Sequence, residues 1–277
     1  MKYLELNTGA KMPAIGLGVF LIPDGDKTYN SVRTALEIGY RHIDTAAIYR
    51  NEESVGRAIK DSGIPREEIF LTTKLWNEVM RTGNPQEAFE ESLRKLDTDY
   101  IDLYLVHWPV PTKYVDAWLA LEKIFKTQGD KVKAIGVSNF HEHHMDDIAK
   151  VWSLTPAVNQ FELNPQMSQK PLKKFCKKQG IVVTAYCPLG GAKQVENVLA
   201  NPILAQIGEK YGKTAAQVVL RWHIDQGISL IPKSTKPERI KENFDIFDFK
   251  LSEEDMVAID GLNTNTRASA DPDNFTF

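Results

Sequence analysis

The stretch HIDTAAIYRNEESVG, residues 42–56, joins a short apolar run to a helix-like segment and carries two reactive side chains at the junction. The run HIDT contains the carboxylate of Asp44, and Tyr49 follows in a link of small residues. From residue 52 onward the apolar residues recur at three- and four-residue intervals, which is typical of an amphipathic helix. The stretch therefore predicts one strand–loop–helix unit with an acid and a phenol where the strand ends.

The same alternation continues along the chain. Seven further strand-like runs are rich in Val, Ile and Leu: GLGVF (16–20), IFLTTKL (69–75), IDLYLVH (101–107), VKAIGVS (132–138), AVNQF (157–161), IVVTAYC (181–187) and ISLIPKS (228–234). Helical patterns separate them, and the strand ends at Asp44, Lys74 and His107 are spaced as successive strand–helix units require. Eight such units predict an α/β fold, the (β/α)8 TIM barrel, with an open doubly wound sheet as the alternative.

Three segments lie outside the eight units. YLELN and KMPAI flank the turn residues Thr8 and Gly9, which predicts an N-terminal β-hairpin. NPILAQIGEKYG (201–212) and SEEDMVAIDGLN (252–263) predict two extra helices. Because no composition break marks a linker, we expect a single barrel domain over residues 1–277.

The composition excludes several classes of protein. The net charge is −3 and the pI is about 6.1, so no basic field predicts binding to nucleic acid or to an anionic membrane. No uncharged apolar run is long enough for a membrane helix, and the N-terminus lacks the apolar core of a signal peptide. Two cysteines cannot form a disulfide framework. We expect a cytoplasmic protein, and a monomer.

Four polar side chains are predicted to meet at one rim of the barrel. Active sites of TIM barrels lie at the C-terminal ends of the strands, where this chain places Asp44, Lys74 and His107, with Tyr49 in the adjacent loop. A cation within hydrogen-bond reach lowers the pKa of a phenol from its usual value of about 10. Lys74, held by Asp44, is therefore predicted to make Tyr49 a general acid. Neutral His107 is predicted to hold a carbonyl oxygen beside the phenol.

Two further sets of residues suggest a large ligand. In IPKSTKPERIKEN (231–243), Pro237 predicts a helix start, and Lys233, Lys236 and Arg239 crowd it. Cations are unfavourable at a helix N-terminus, whereas the loop after the eighth strand of a barrel commonly binds phosphate. This pattern predicts a phosphate site.

The other set provides hydrogen-bonding groups and an aromatic ring. Ser138, Asn139 and Gln160 place hydroxyl and amide groups at strand ends, and Tyr186 offers an aromatic face. The Gly190–Gly191 pair predicts a loop that moves over a ligand. These features are suited to a flat carboxamide ligand.

Other patterns are weaker. GLGVFL lacks the third glycine of a dinucleotide fingerprint. HEHH (141–144) is not the HExxH zinc motif and is interpreted as the start of a solvated helix, so no metal site is predicted. His42 and His223 are interpreted as structural residues.

The chain resembles the aldo-keto reductase family along nearly its whole length. GYRHIDTAAIYRNEESVG, LYLVHWP, IGVSNF and IPKSTKPERIKEN are the long matches, and length and loops are most similar to the bacterial diketogluconate and glyoxal reductases. The resemblance implies a (β/α)8 barrel that uses NADPH, and a catalytic set of Asp44, Tyr49, Lys74 and His107 with Tyr49 as the proton donor.

The resemblance also implies the binding residues. Ser138, Asn139 and Gln160 would hold the carboxamide, and Tyr186 would stack on the nicotinamide. The 2′-phosphate would be bound by Lys233, Ser234 and Arg239, and the adenine would lie near Glu242 and Asn243. The pyrophosphate would be covered by Leu189 and Gly190, with Cys187 nearby in place of a serine. The substrate pocket would be lined by Phe20, Tyr49, Trp76, His107 and Trp108, and the short loop after His107 predicts an open pocket.

The function predicted from the sequence is reduction of small aldehydes, dicarbonyls or keto sugars to alcohols, with NADPH/NADP+ as the cofactor. Two alternatives are kept: an NADPH-binding regulatory barrel with slow turnover, and a metal-dependent barrel hydrolase.

Overall fold

The N-terminal segment forms the predicted hairpin. In the computed structural model, which describes residues 2–277, strand β1 (Tyr3–Glu5) pairs antiparallel with β2 (Lys11–Pro13). The turn between them needs a left-handed residue, and Gly9 supplies it with φ 82°. Met12 is fully buried and packs in one apolar cluster with Leu6 and with residues of the barrel strands. The hairpin therefore covers the N-terminal end of the barrel.

Eight parallel strands follow and lie side by side in chain order: β3 (Leu17–Gly18), β4 (His42–Asp44), β5 (Phe70–Leu75), β6 (Leu103–Val106), β7 (Ile135–Ser138), β8 (Val158–Glu162), β9 (Val182–Tyr186) and β10 (Ser229–Leu230). The two edges of this sheet meet. Leu230 bridges to Ile15 in parallel, and its carbonyl accepts from the Gly16 N–H at 2.9 Å. The sheet is thus a closed (β/α)8 barrel, so the predicted fold is confirmed and the open-sheet alternative is wrong.

The first and last strands are shorter than predicted. Only two residues of GLGVF and two of ISLIPKS pair as strand. Proline has no N–H to donate, so the ladder of β10 cannot continue normally into Pro232. The Gly18 N–H still donates to the Pro232 carbonyl at 3.1 Å, which keeps the barrel closed beyond the assigned strand.

Helices alternate with the strands around the outside. They are α1 (Asp26–Ile38), α2 (Glu52–Asp61), α3 (Asn77–Thr82), α4 (Pro85–Lys95), α5 (Tyr114–Thr127), α6 (Glu142–Ala149), α7 (Lys170–Lys178), α8 (Gly191–Leu199), α9 (Pro202–Tyr211), α10 (Ala215–Asp225), α11 (Pro237–Phe244) and α12 (Glu253–Asp260). The two predicted extra helices are α9 and α12. None of the helices within residues 2–277 has the length and apolar character needed to cross a membrane.

Two helices were not predicted. Helix α3 lies in the loop after β5, and α8 begins directly after Gly190, which has φ 88°. The Gly190–Gly191 pair therefore starts a helix, where the sequence predicted a loop, and movement of this segment over a ligand stays a prediction. The helix is attached to the C-terminal segment, because the Gln194 side chain donates to the Thr266 carbonyl at 3.1 Å.

Close packing between barrel strands gives a stability prediction. A Cβ atom at Gly136 in β7 would lie 2.5 Å from the Val158 carbonyl oxygen and 2.9 Å from Leu105 Cδ2. We expect G136A to lower the free energy of unfolding by about 1–3 kcal/mol, because an overpacked core must shift. Urea denaturation measures this change.

The matched control is G261A at the end of α12. Gly261 has φ −70°, and its added Cβ would come no closer than 3.3 Å to the Ala258 carbonyl oxygen. G261A should change the free energy of unfolding by less than about 0.5 kcal/mol. Equal losses in the two variants would contradict the packing argument.

Candidate active site

A buried ion pair lies at the C-terminal ends of two neighbouring strands. Lys74 in β5 places its Nζ 2.5 Å from Asp44 Oδ1 at the end of β4, and the same Nζ donates to the Thr45 carbonyl at 2.8 Å. Both side chains are almost wholly removed from solvent. Two charges can be buried only when each is paired and hydrogen-bonded. The predicted contact between Asp44 and Lys74 is present in the structure.

The second oxygen of the carboxylate is held from the far side of the barrel. Gln160 in β8 donates from Nε2 to Asp44 Oδ2 at 2.7 Å. Asp44 is therefore fixed by two donors from two different strands, and its orientation is set before any ligand binds. This contact was not predicted, because residues so far apart in sequence leave no local signal.

A buried amide fixes the loop that carries Tyr49. Asn51 is fully buried, accepts from Thr45 Oγ1 at 2.8 Å, and donates to the carbonyls of Val19 and Ile22, each at 3.0 Å. Tyr49 ends a 3₁₀ turn (Ala47–Tyr49) within this fixed loop. Its ring centroid lies 5.2 Å from Lys74 Nζ. The acid–phenol spacing thus places the phenol beside the ion pair.

The pKa of Tyr49 differs from the prediction. Burial of the phenol raises its pKa well above the usual value, and the Asp44 carboxylate adds to the increase. The predicted lowering by Lys74 is wrong for this arrangement, because the ammonium is bonded to Asp44 and no hydrogen bond within residues 2–277 joins it to the phenol. Tyr49 consequently keeps its proton at neutral pH, as a proton donor must.

His107 follows β6 and faces the phenol. Its ring centroid is 5.7 Å from that of Tyr49, with the planes at 73°. Burial, and then the Lys74 charge, hold the pKa of His107 well below its usual value, so the imidazole is neutral as predicted. Its Nδ1 is buried, with no hydrogen-bond partner among residues 2–277. A phenol and a neutral imidazole at one rim can together hold and protonate an oxygen.

The hydroxyl and amide groups predicted to hold a carboxamide also lie together. Asn139 adopts φ 65°, which Asn tolerates better than most residues, and its Nδ2 contacts Ser138 Oγ and the His107 carbonyl at 3.1 and 3.0 Å. Tyr186 donates to Asn139 Oδ1 at 2.7 Å. Through Gln160, this polar set adjoins the ion pair.

The C-terminal segment is bound to this polar set by a carboxylate that the sequence did not indicate. Glu162, fully buried at the end of β8, accepts the Ala268 and Ser269 N–H groups at 2.7 and 2.9 Å. Ser269 also lies 3.0 Å from the Tyr186 hydroxyl. The segment after residue 264 therefore covers the barrel mouth.

The predicted phosphate site has exposed cations at a helix start. Pro237 is the first residue of α11, as predicted, while Lys233, Lys236 and Arg239 are exposed. Within residues 2–277 these three cations form no salt bridge. Cations without a carboxylate partner at a helix N-terminus are suited to an anion.

The remaining cofactor candidates vary in exposure. Ser234 and Asn243 are buried, whereas Glu242 is half-buried and accepts from Thr214 Oγ1 at 2.6 Å. Leu189 and Cys187 are half-buried beside Gly190, and burial raises the pKa of the Cys187 thiol to about 12. No hydrogen bond within residues 2–277 joins the residues of the phosphate site to the Asp44–Lys74 pair.

Aromatic rings surround the phenol and the imidazole. Phe20 lies 5.0 Å from Tyr49, and Trp76 lies 5.3 Å from His107. The tail adds two rings that the sequence did not suggest: Phe277 stacks on Trp76 at 6.0 Å, and Phe275 and Phe277 each lie 5.1 Å from Trp108. The pocket is therefore narrower than the short loop after His107 predicted.

The buried ion pair gives a second stability prediction. K74M leaves Asp44 buried without its cation, so we expect the free energy of unfolding to fall by about 3–5 kcal/mol. The control is K60M, because Lys60 pairs with Asp97 at the same 2.5 Å while both side chains are more than half exposed. K60M should cost less than about 1 kcal/mol. Similar costs for both variants in urea denaturation would refute the importance of the buried pair.

Comparison with known proteins places the chain in a family. A model of the aldo/keto reductase family matches residues 14–264. The glyoxal reductase of Bacillus subtilis is 49% identical, covering 99% of this chain and 97% of the relative. The 9,11-endoperoxide prostaglandin H2 reductase of Trypanosoma cruzi is 50% identical, covering 98% and 95%. A crystal structure of a Gox0644 mutant in complex with NADPH superposes with TM-score 0.92 at 41% identity, covering 100% and 99%. The chain belongs to the aldo/keto reductase family and is an oxidoreductase, as the sequence predicted.

Proposed function

We propose that this protein reduces the carbonyl group of small aldehydes, dicarbonyls or keto sugars to an alcohol, with NADPH as the hydride donor. The observation that carries the proposal is the buried Asp44–Lys74 pair beside a protonated Tyr49 and a neutral His107. These are groups for moving a proton and holding an oxygen. They lie at the rim where barrels carry out catalysis.

The residues present fit NADPH. The exposed cations around the start of α11 suit its 2′-phosphate, the polar groups of Ser138, Asn139 and Gln160 suit its carboxamide, and Tyr186 offers a ring for stacking. The related Gox0644 protein has been solved with NADPH. When bound, the cofactor supplies the hydride. The protein must position the carbonyl group and supply the proton.

Each member of the catalytic set has one task. His107 donates a hydrogen bond to the carbonyl oxygen, which orients the substrate. Tyr49 gives its phenolic proton to the same oxygen as negative charge develops there. Lys74 then stabilises the phenolate left behind, because the ammonium lies beside the ring. Asp44, held by Gln160, keeps the ammonium in place.

The substrate class follows from the pocket and from a relative. Phe20, Trp76 and Trp108, together with the tail residues Phe275 and Phe277, surround the reacting groups with aromatic surface, which favours a small substrate. The Bacillus subtilis relative is named a glyoxal reductase, which supports small dicarbonyls. We propose methylglyoxal-type compounds as the first substrates to assay.

The free thiols of Cys176 and Cys187 support the cytoplasm as the place of action. The monomeric state and the absence of a nucleic-acid partner stay predictions. The regulatory alternative, an NADPH-binding barrel with slow turnover, is distinguished by the catalytic assay below. The metal-dependent hydrolase alternative is wrong, because the chain belongs to the aldo/keto reductase family.

Removing the proton donor tests the mechanism. We expect Y49F to lower kcat for methylglyoxal by about 10²–10⁴-fold, because the phenyl ring cannot donate a proton. The dissociation constant of NADPH should change little. The control is Y29F on α1. The exposed hydroxyl of Tyr29 donates to Asp61 and to no residue of the catalytic set, so this variant should keep full activity.

Steady-state kinetics and NADPH titration give both quantities. Full activity in Y49F would refute the assignment of Tyr49. NADPH binding without measurable reduction of any carbonyl by the wild type would favour the regulatory alternative.

The cofactor assignment has its own test. R239A should weaken NADPH binding by about 10–100-fold and leave NADH binding nearly unchanged, because a charge-assisted contact to the 2′-phosphate is lost. K241A, a charge removal at another exposed position of α11, should affect neither cofactor. Fluorescence titration measures all four affinities. Equal losses for NADPH and NADH in R239A would contradict a 2′-phosphate site.

A further inference from the structure

A second cluster of ionisable side chains lies outside the catalytic set. His141, His143 and His144 at the start of α6 surround Asp273 of the C-terminal tail, and one donor atom from each lies within 4.8 Å of all the others. His144 is buried, so the interpretation of HEHH as a solvated helix start is wrong for this residue. The fold of the tail assembles this cluster, which explains why the local sequence motif did not indicate it.

The distances within the cluster match a metal site. His141 Nδ1 lies 2.9 Å from Asp273 Oδ2, and His143 Nε2 lies 3.1 Å from Asp273 Oδ1. Zinc bonds to nitrogen and oxygen of about 2.0–2.1 Å give tetrahedral ligand–ligand distances of about 3.3–3.4 Å. The two measured nitrogen–oxygen distances lie within a few tenths of an ångström of this value, and the donor atoms of the whole cluster lie within 4.8 Å of one another. The side chains of His143 and Asp273 are 60% and 41% exposed, which leaves an entry path.

The hydrogen bonds assign different roles to the histidines. His144 Nδ1 accepts the His141 N–H at 3.1 Å, so in the neutral ring the proton is on Nε2. That nitrogen lies 3.4 Å from Asp273 Oδ1 and can donate to the carboxylate. His144 is thus placed to orient a metal-bound carboxylate rather than to bind the metal.

We propose that His141, His143 and Asp273 bind one divalent transition-metal ion of the zinc type, with His144 supporting the carboxylate and water at the fourth position. Two imidazoles and one carboxylate form a ligand set that suits Zn²⁺. The site is separate from the catalytic set and needs no assumption about the reaction. A bound ion would attach the tail to α6 two residues before Phe275, which lines the proposed pocket.

One neighbouring cation opposes metal binding. Arg267 places NH2 3.4 Å from His141 Nε2. If His141 binds the metal through Nδ1, the imidazole proton lies on Nε2, where it faces the Arg267 guanidinium. The metal ion and the guanidinium are both positively charged and also repel each other. The site is therefore expected to bind its ion more tightly when Arg267 is replaced by a neutral residue. Damage to the fold would not produce a gain of this kind.

Calorimetric titration of the chelator-treated full-length chain with Zn²⁺, repeated with Co²⁺ as a visible-absorbing probe, tests the site. We expect one ion per chain in the wild type. H143A and D273N should each weaken binding by more than about tenfold, and R267M should tighten it by about threefold or more.

Two exposed positions on α6 provide matched controls: E142A for H143A and D146N for D273N. Both controls should bind within about twofold of the wild type. Circular dichroism shows which variants are folded. The proposal is overturned if the wild type binds no ion at about 100 μM Zn²⁺. It is also overturned if folded H143A and D273N bind as tightly as their controls.

Discussion

The structure of the active site depends on one buried ion pair. Lys74 and Asp44 lie 2.5 Å apart with almost no exposure to water, so neither can be removed without leaving an uncompensated charge. Gln160 links the pair to β8 on the other side of the barrel, and Tyr49 packs beside it. Closure of the barrel therefore brings Asp44, Lys74 and Gln160 together, and this arrangement places the ion pair beside the Tyr49 phenol.

The pair also explains how a phenol with a raised pKa can act as the proton donor that we propose. In the resting site the Lys74 charge is balanced by Asp44, and burial keeps Tyr49 protonated. When the phenol gives up its proton, the new negative charge lies next to the ammonium, where the low dielectric of the site strengthens the attraction. In the proposed mechanism, Lys74 acts mainly on the product of the proton transfer. This division corrects the simpler expectation that the lysine lowers the resting pKa.

Sequence periodicity was enough to predict the barrel and the convergence of its strand-end residues. Asp44, Lys74 and His107 are local features of strands, and parallel strands necessarily bring their ends together. Contacts made by the tail could not be predicted in the same way. Glu162 with Ser269, Phe277 with Trp76, and the histidines of α6 with Asp273 are pairings that only the folded chain creates. The short helices α3 and α8 also escaped detection, the second because the Gly190–Gly191 pair at its start is typical of a loop.

The central claim is that burial beside the Asp44–Lys74 pair keeps Tyr49 protonated until a substrate oxygen accepts the proton. Tyrosine-selective ¹³C NMR of the cofactor-free protein measures this directly, with Y49F identifying the resonance among the nine tyrosines of the chain. We predict that the Tyr49 phenol remains protonated beyond pH 10, above the ordinary midpoint of about 10. Ionisation of Tyr49 below that midpoint in the folded protein would contradict the account.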